Sequence, residues 1–360
     1  MMSQNSSSSP NSSSGSSLLP ILNNNNSICG IKTFYSATDS VATYKTNMIY
    51  TPCALGIVNG AITLFLFGIG GICNAMVLLF FMKRAAIRRK VANLLFMHQA
   101  LVDLLHCLLF MLPWGCFKMF VSLQGSSTVI AEQTVTVSID GNFSTSQPTN
   151  GMALFVGFEM LLIFPLSGGL SGITQVVTAM ERYLAICWPF RHRQHVTRTR
   201  CVKILILAWL ITLIYAAALA YTITKQSFVL IKVGFIACLV AQAFFCVIYM
   251  VTYYRARQSV RNKMVTGPKK KTNMDANSIK HAKKELRLTI IFMVMFLVWI
   301  IPGVPLHIYG GFLDDPDIHY EHEDFIYFFP TAFSAAVNPI LTLLLRDDFK
   351  PTQLKSFSRK

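Results

Sequence analysis

The run Met180-Glu181-Arg182-Tyr183-Leu184-Ala185-Ile186-Cys187-Trp188-Pro189 closes an apolar stretch that begins near Met152. An acid-arginine pair there stands where a buried helix meets water. Charges at the end of a membrane span cost little, because they reach the interface, yet they can tether a neighbouring helix. Composition agrees: 53% of the 360 residues are hydrophobic and only 13% charged, too apolar for an ordinary soluble domain. Windows of about 20 apolar residues, enough to cross a ~30 Å hydrocarbon core, fall near Leu55–Met82, Val91–Leu112, Met152–Trp188, Val202–Tyr221, Ser227–Tyr254, Leu286–Tyr309 and Phe325–Leu345. The expected fold is all-α, a bundle of seven transmembrane helices over 51–349. A soluble protein with seven core helices would need polar faces that these windows lack.

Basic residues set the orientation. The net charge of +16 sits in alternate loops: Lys83, Arg84, Arg88, Arg89 and Lys90; Arg191, Arg193, Arg198, Arg200 and Lys203; and a third set from Arg255 to Lys284. These loops read as cytoplasmic, which puts the N terminus outside and the short tail 350–360 inside, in a multi-pass protein of the plasma membrane. The run Lys269-Lys270-Lys271 beside a membrane reads as a partner for anionic lipid; no nucleic-acid partner is expected.

Residues 1–50, rich in Ser and Asn, read as a disordered extracellular tail with no charged n-region or apolar h-region of a signal peptide. Asn5, Asn11, Asn25 and Asn142 match the glycan acceptor pattern and all fall on the expected outer side. Asn142, in the long loop between Pro113 and Gly151, is the one outside Ser/Asn-rich sequence.

Polar residues inside spans are costly and call for a function. At about 1.5 Å per residue, Asp103 lies ~18 Å in from Val91, Asn74 ~14 Å from Lys83, Ser171 ~16 Å from Arg182 and Asn338 ~12 Å from Arg346. Four polar groups from four helices thus share one layer, able to surround an ionised Asp103 or a small cation such as sodium. A neutral, hydrogen-bonded Asp103 that joins helices is the alternative. No other metal is expected.

In order and spacing these residues resemble rhodopsin-like G-protein-coupled receptors along the whole of Leu55 to Phe349. Glu181-Arg182-Tyr183 resembles the family's Asp/Glu-Arg-Tyr switch. Asn74, Asn93 with Ala100 to Leu104, and Trp209 match its first-, second- and fourth-helix positions. Phe296, Trp299 and Pro302 are similar to Phe-x-x-Cys-Trp-x-Pro, and Asn338-Pro339 to Asn-Pro-x-x-Tyr, followed by Arg346 to Phe349 as the start of a short amphipathic helix on the membrane. The resemblance implies a receptor that passes an extracellular ligand signal to a heterotrimeric G protein by outward movement of the sixth helix. Arg182 would receive the Gα C-terminal helix, with Glu181 holding it at rest and Phe296, Trp299, Pro302 and Pro339 forming the pivots. No catalysis is implied.

The departures are specific. Trp299 stands three residues before Pro302, which leaves Ile300 at the toggle position. Thr342 replaces the last tyrosine and is too short to reach Arg182, so the active state is expected either to be less well latched or to use Tyr249 or Tyr253. Gln99 adds a polar group near Asp103. The family's disulfide lacks both ends: Gly157 stands at the third-helix position and Tyr221 to Gln226 has no cysteine. Among Cys29, Cys53 and Cys116, a Cys29–Cys116 bridge is the expected replacement.

Ala332 stands where retinal would need a lysine, so retinal and other cofactors are not expected, and Phe164 replaces the aspartate that pairs amines in that family. The expected pocket wall is aromatic: Phe110, Phe164, Trp299, His307, Tyr327 and Phe328. Asp314, Asp315, Asp317, Glu321, Glu323 and Asp324, with His319 and His322, make the loop before the seventh helix acidic. A transporter or channel would show internal repeats and paired broken helices. A membrane hydrolase would join His98 and His106 to metal-spaced partners. The sequence shows neither.

Overall fold

The computed structural model describes residues 30–38, 42–51, 54–84, 90–124, 128–137, 143–146, 158–224, 229–265, 273–309 and 318–346, together with Phe155 and Phe312. The seven expected helices form an all-α bundle: α1 (Ala54–Lys83), α2 (Val91–Leu123), α3 (Phe164–Cys187), α4 (Arg198–Thr224), α5 (Val229–Val265), α6 (Asn273–Ile308) and α7 (Glu321–Leu345).

Among the described residues six of these helices are long and apolar enough to cross a membrane, and the seventh, α3, is not. The reason is its position. It packs against α2, α4, α5 and α6, and Ser167, Ser171, Thr174, Gln175 and Thr178 follow one another down its buried face at helical spacing. Their hydroxyls find acceptors inside the helix: Ser167 donates to the Ile163 carbonyl, Thr174 to Leu170 and Thr178 to Thr174. The helix stops at Cys187, because Trp188 leaves helical geometry and Pro189 opens a short helix, Pro189–His195, in a new direction.

Two proline-associated wide turns shape the bundle. Cys107–Met111 within α2 and Glu159–Ile163 before α3 are π-helical, each just ahead of a proline, Pro113 or Pro165. The extra residue in α2 turns Cys107, Phe110, Met111 and Trp114 inward together, where they pack with Phe117, Ile163 and Phe328. A second core cluster occupies the opposite half and contains Phe81, Phe96, Tyr249, Phe292, Met295, Phe296 and Ile300. The buried polar side chains Asn74, Gln99, Asp103, Ser171 and Asn338 belong to neither. At Gly70 a Cβ would come within 3.2 Å of the Ala336 Cα, so α1 and α7 approach backbone to backbone there.

The sequence reading needs correction beyond the bundle. Residues expected in a disordered tail form two strands, β1 (Gly30–Thr38) and β2 (Ala42–Thr51). With β3 (Thr128–Val137), β4 (Phe143–Ser146) and β5 (Ile318–Tyr320) they build an antiparallel sheet in the order β4-β3-β2-β1-β5. Its strands adjoin the ends of α1, α2 and α7, so the sheet links one end of the bundle across segments far apart in sequence. Tail residues 1–29, the acceptor asparagines Asn5, Asn11, Asn25 and Asn142, the loop acids Asp314, Asp315 and Asp317, and the expected membrane-lying helix beyond Arg346 lie outside the described residues.

Candidate functional site

At the end of the bundle opposite the sheet, Arg182 is held on three sides. It is 4% exposed, beside Glu181 at 5%. Its Nη2 donates to Glu181 Oε1 at 2.6 Å and its Nε to Glu181 Oε2, a bidentate pair. Nη1 donates across to Glu285 Oε2 on α6 at 3.0 Å. The imidazole Nε2 of His192, in the short helix after α3, lies 3.1 Å from Glu181 Oε1. The guanidinium also sits 5.7 Å from the centre of the Phe292 ring, and Phe292 stacks on Phe96 of α2 at 4.3 Å. Phe96 in turn lies 4.5 Å beneath Arg346, whose Nη2 donates to Asn93 Oδ1 at 2.7 Å. Two arginines thus bracket a stacked aromatic pair. Tyr183, half-buried, joins no hydrogen bond or ring contact among the described residues.

Glu285 and His192 are the members of this cluster that the sequence reading missed. Glu285 stands among Lys283, Lys284 and Arg287, and an acid inside a basic juxtamembrane run was the available signal. Tyr249, expected as a substitute latch, is buried against Phe296 with ring centres 4.8 Å apart, and its hydroxyl has no partner among the described residues. Thr342 donates to the Asn338 carbonyl at 3.0 Å and points no bond toward Arg182.

The mid-membrane layer brings Gln99, Asp103, Ser171 and Asn338 together. Gln99 Nε2 bridges Asp103 Oδ1 at 2.8 Å and Ser171 Oγ at 2.9 Å, and Asn338 adjoins the same carboxyl. Asn74 takes a different part: its amide donates to the Ala335 and Gly70 carbonyls, both at 2.9 Å, and so fastens α1 to α7. Among the described residues, buried acceptor oxygens remain without a donor here: Asn74 Oδ1, Gln99 Oε1, Asp103 Oδ2 and Asn338 Oδ1. Amide oxygens beside one carboxylate, as at Gln99, Asn338 and Asp103, are the chemistry a hard cation takes. Among the described residues no three His, Cys, Asp or Glu side chains are grouped to hold a metal ion.

The two α2 histidines are helix ties. Trp209 Nε1 donates to His98 Nε2 at 2.9 Å, so the ring proton is on Nδ1, 3.0 Å from Thr174 Oγ1, which itself donates to Leu170. One directional chain therefore joins α4, α2 and α3. His106 Nδ1 meets Ser167 Oγ at 2.7 Å.

Toward the sheet end a cavity of about 610 Å³ opens among α3 to α7. Of the aromatic residues named from the sequence, Phe164, Trp299, His307 and Phe328 line it. Phe110 does not: it is fully buried behind Phe164 and Phe328, because the π-helical turn rotates it into the core. The Tyr327 side chain lies outside the described residues. The shifted Trp299 rests on α3, where a Cβ on Gly172 would meet its ring at 3.3 Å, while Ile300 is buried in the core on the Arg182 side. Pro302 and Pro339 lie inside α6 and α7, joined by Pro305 and Pro330. Cys116 is exposed and carries a free thiol, because the α2 turn buries Trp114, Gly115 and Phe117 and leaves Cys116 on the outer surface; Cys29, its expected partner, lies outside the described residues.

The profile of the 7 transmembrane receptor (rhodopsin family) matches residues 159–341, just over half of the chain. The chain belongs to the rhodopsin family of seven-transmembrane receptors. The match runs from the wide turn before α3 through most of α7, and so contains Arg182, Glu285, the cavity wall from α3 to α7, and Asn338. No curated protein matches the receptor. It is a multi-pass membrane receptor, and its motif departures at Ile300 and Thr342 are substitutions within that family's frame.

Proposed function

We propose that the receptor senses an extracellular ligand in the α3–α7 cavity and activates a heterotrimeric G protein. The observation that carries this reading is the ion pair between Arg182 on α3 and Glu285 on α6. It ties the moving helix to the switch arginine, and so describes a resting state. A ligand that favours the alternative state lets α6 swing outward about Pro302 and frees Arg182 for the Gα C-terminal helix. Tyr249, buried beside this cluster with an unsatisfied hydroxyl, takes over the latch that Thr342 is too short to form. The sheet end faces the extracellular side of the plasma membrane, and the basic loops face the cytoplasm and its anionic lipid. No catalytic step and no cofactor enter this mechanism.

A sodium ion in the Asp103 layer fits the same reading, since the orphaned oxygens of Gln99, Asp103 and Asn338 suit it and a bound ion favours the state that binds it. Sodium chloride, compared with potassium chloride at equal ionic strength, then raises the thermal midpoint of the purified receptor and leaves that of Asp103→Asn unchanged. Equal effects of the two salts on wild type would reject the ion.

Coupling is tested with Gα dissociation sensors in cells that display wild type or Arg182→Ala at matched surface levels, screened against peptides, amines, lipids and odorants. A ligand response abolished in Arg182→Ala is the expected result. Ion or solute flux in the absence of any Gα response would favour a transporter or channel instead.

A further inference from the structure

The chemistry of the cavity wall narrows the ligand. Ile173 and Val176 on α3, Ile211 and Leu219 on α4, and Phe235 and Phe245 on α5 give it a hydrocarbon and aromatic surface. No carboxylate, ammonium or guanidinium lines it among the described residues. A cationic or anionic ligand would enter without a counter-charge, and an unpaired buried ion is strongly disfavoured. The volume of about 610 Å³ lies within the range of pockets that hold drug-sized molecules, roughly 300–1,000 Å³.

One polar group in this wall is incomplete. Gln242 on α5 is 2% exposed, and its Oε1 has no partner among the described residues. Its amide nitrogen lies 3.3 Å from His307 Nδ1 on α6, and that same Nδ1 makes a short contact with the Gly303 carbonyl. A carbonyl only accepts, so the His307 proton is on Nδ1, and Nε2 is left as an acceptor. An amide nitrogen cannot also donate to Nδ1–H. A half-turn of the Gln242 side chain removes this conflict, placing its carbonyl on Nδ1–H and fixing the His307 ring. His307 lines the cavity, and its Nε2, without a hydrogen-bond partner among the described residues, is the acceptor that a ligand can meet.

We propose that the cavity takes an uncharged, mainly hydrocarbon ligand with one hydroxyl group, which donates to Nε2 of His307, whose ring Gln242 holds. This rests on the reading of the cavity as the ligand site. The test uses the full-length receptor purified in detergent and a photoreactive probe, a diazirine-bearing decanol, with matched chains ending in hydrogen, trimethylammonium or carboxylate. The alcohol is expected to label cavity-lining peptides of α3, α5 or α6, saturably and in competition with plain decanol. Gly168→Leu fills the cavity, because only Thr331, at 3.8 Å, lies within 4 Å of a Cβ there, and it lowers that labelling about tenfold or more. Gln242→Leu with His307→Phe lowers the alcohol's labelling about tenfold, equivalent to ~1.4 kcal/mol, and leaves that of the hydrocarbon chain unchanged. Thr331→Phe, from the facing helix, replaces Gly168→Leu if the latter does not fold. Labelling insensitive to the filling variants, or equal or stronger labelling by either charged chain, would overturn the proposal. Neither result touches the receptor reading, which is decided by the dependence of Gα activation on Arg182.

Discussion

Arg182 spends its donors on two different kinds of partner. The bidentate pair with Glu181 stays within α3 and moves with it, whereas the Glu285 bond crosses to α6 and must break if that helix leaves. The second bond sets the resting state, and its partner is one-third exposed, so it is worth about 1 kcal/mol. Glu285→Gln, which keeps the shape and removes the charge, should raise basal Gα activation roughly fivefold at matched surface level; unchanged or lower basal activity would contradict the assignment. His98 makes a different prediction, since its two nitrogens have opposite roles. His98→Leu leaves the Trp209 N–H unpaired and should destabilise the purified receptor by ~1–3 kcal/mol, read as a lowered thermal midpoint. A glutamine can both accept and donate, and His98→Gln should recover part of that loss. Equal loss in both variants would mean that packing, not the hydrogen bonds, holds the junction.

At the scale of elements, α6 is fixed by aromatic stacking as well as by charge. Phe292 stacks on Phe96 and lies under Arg182, so outward movement of α6 must separate both contacts. Phe96→Ala should therefore raise basal activity while leaving the Arg182–Glu285 pair intact, and its effect should exceed that of Leu95→Ala, which lies in the separate α2–α4 cluster. Comparable effects of the two would reduce Phe96 to general packing. The same elements mark the reach of sequence. The end of α3 was legible because Glu181-Arg182 marks the interface and Trp188-Pro189 the break. Phe110 was misplaced because its position was counted along a regular helix, and one extra residue in the Cys107–Met111 turn changes the face. Glu285 was hidden by the lysines around it. The strands were missed for another reason: Ala42–Thr51 carries Thr, Tyr and Ile suited to a strand, but its partners are Thr128–Val137 and Gly30–Thr38. Part of that pairing is non-local, and no short-range signal fixes it.

In the whole molecule, two apolar clusters and a buried polar layer between the cavity end and the Arg182 end form one connected frame. Trp299 touches the cavity, and Phe296, one turn earlier on α6, touches Tyr249 near Arg182. A change in how the cavity is filled can therefore bias the position of α6 without passing through any loop. The central claim is that Arg182, once released from Glu285, engages a G protein, and it can be tested before any ligand is known. The measurement is basal activation across a Gα sensor panel by Glu285→Gln and by Glu285→Gln with Arg182→Ala, at equal surface expression. The account predicts that at least one Gα responds above wild type to the single variant and returns to background in the double. A single variant that activates no Gα, or a double variant that remains equally active, would contradict it.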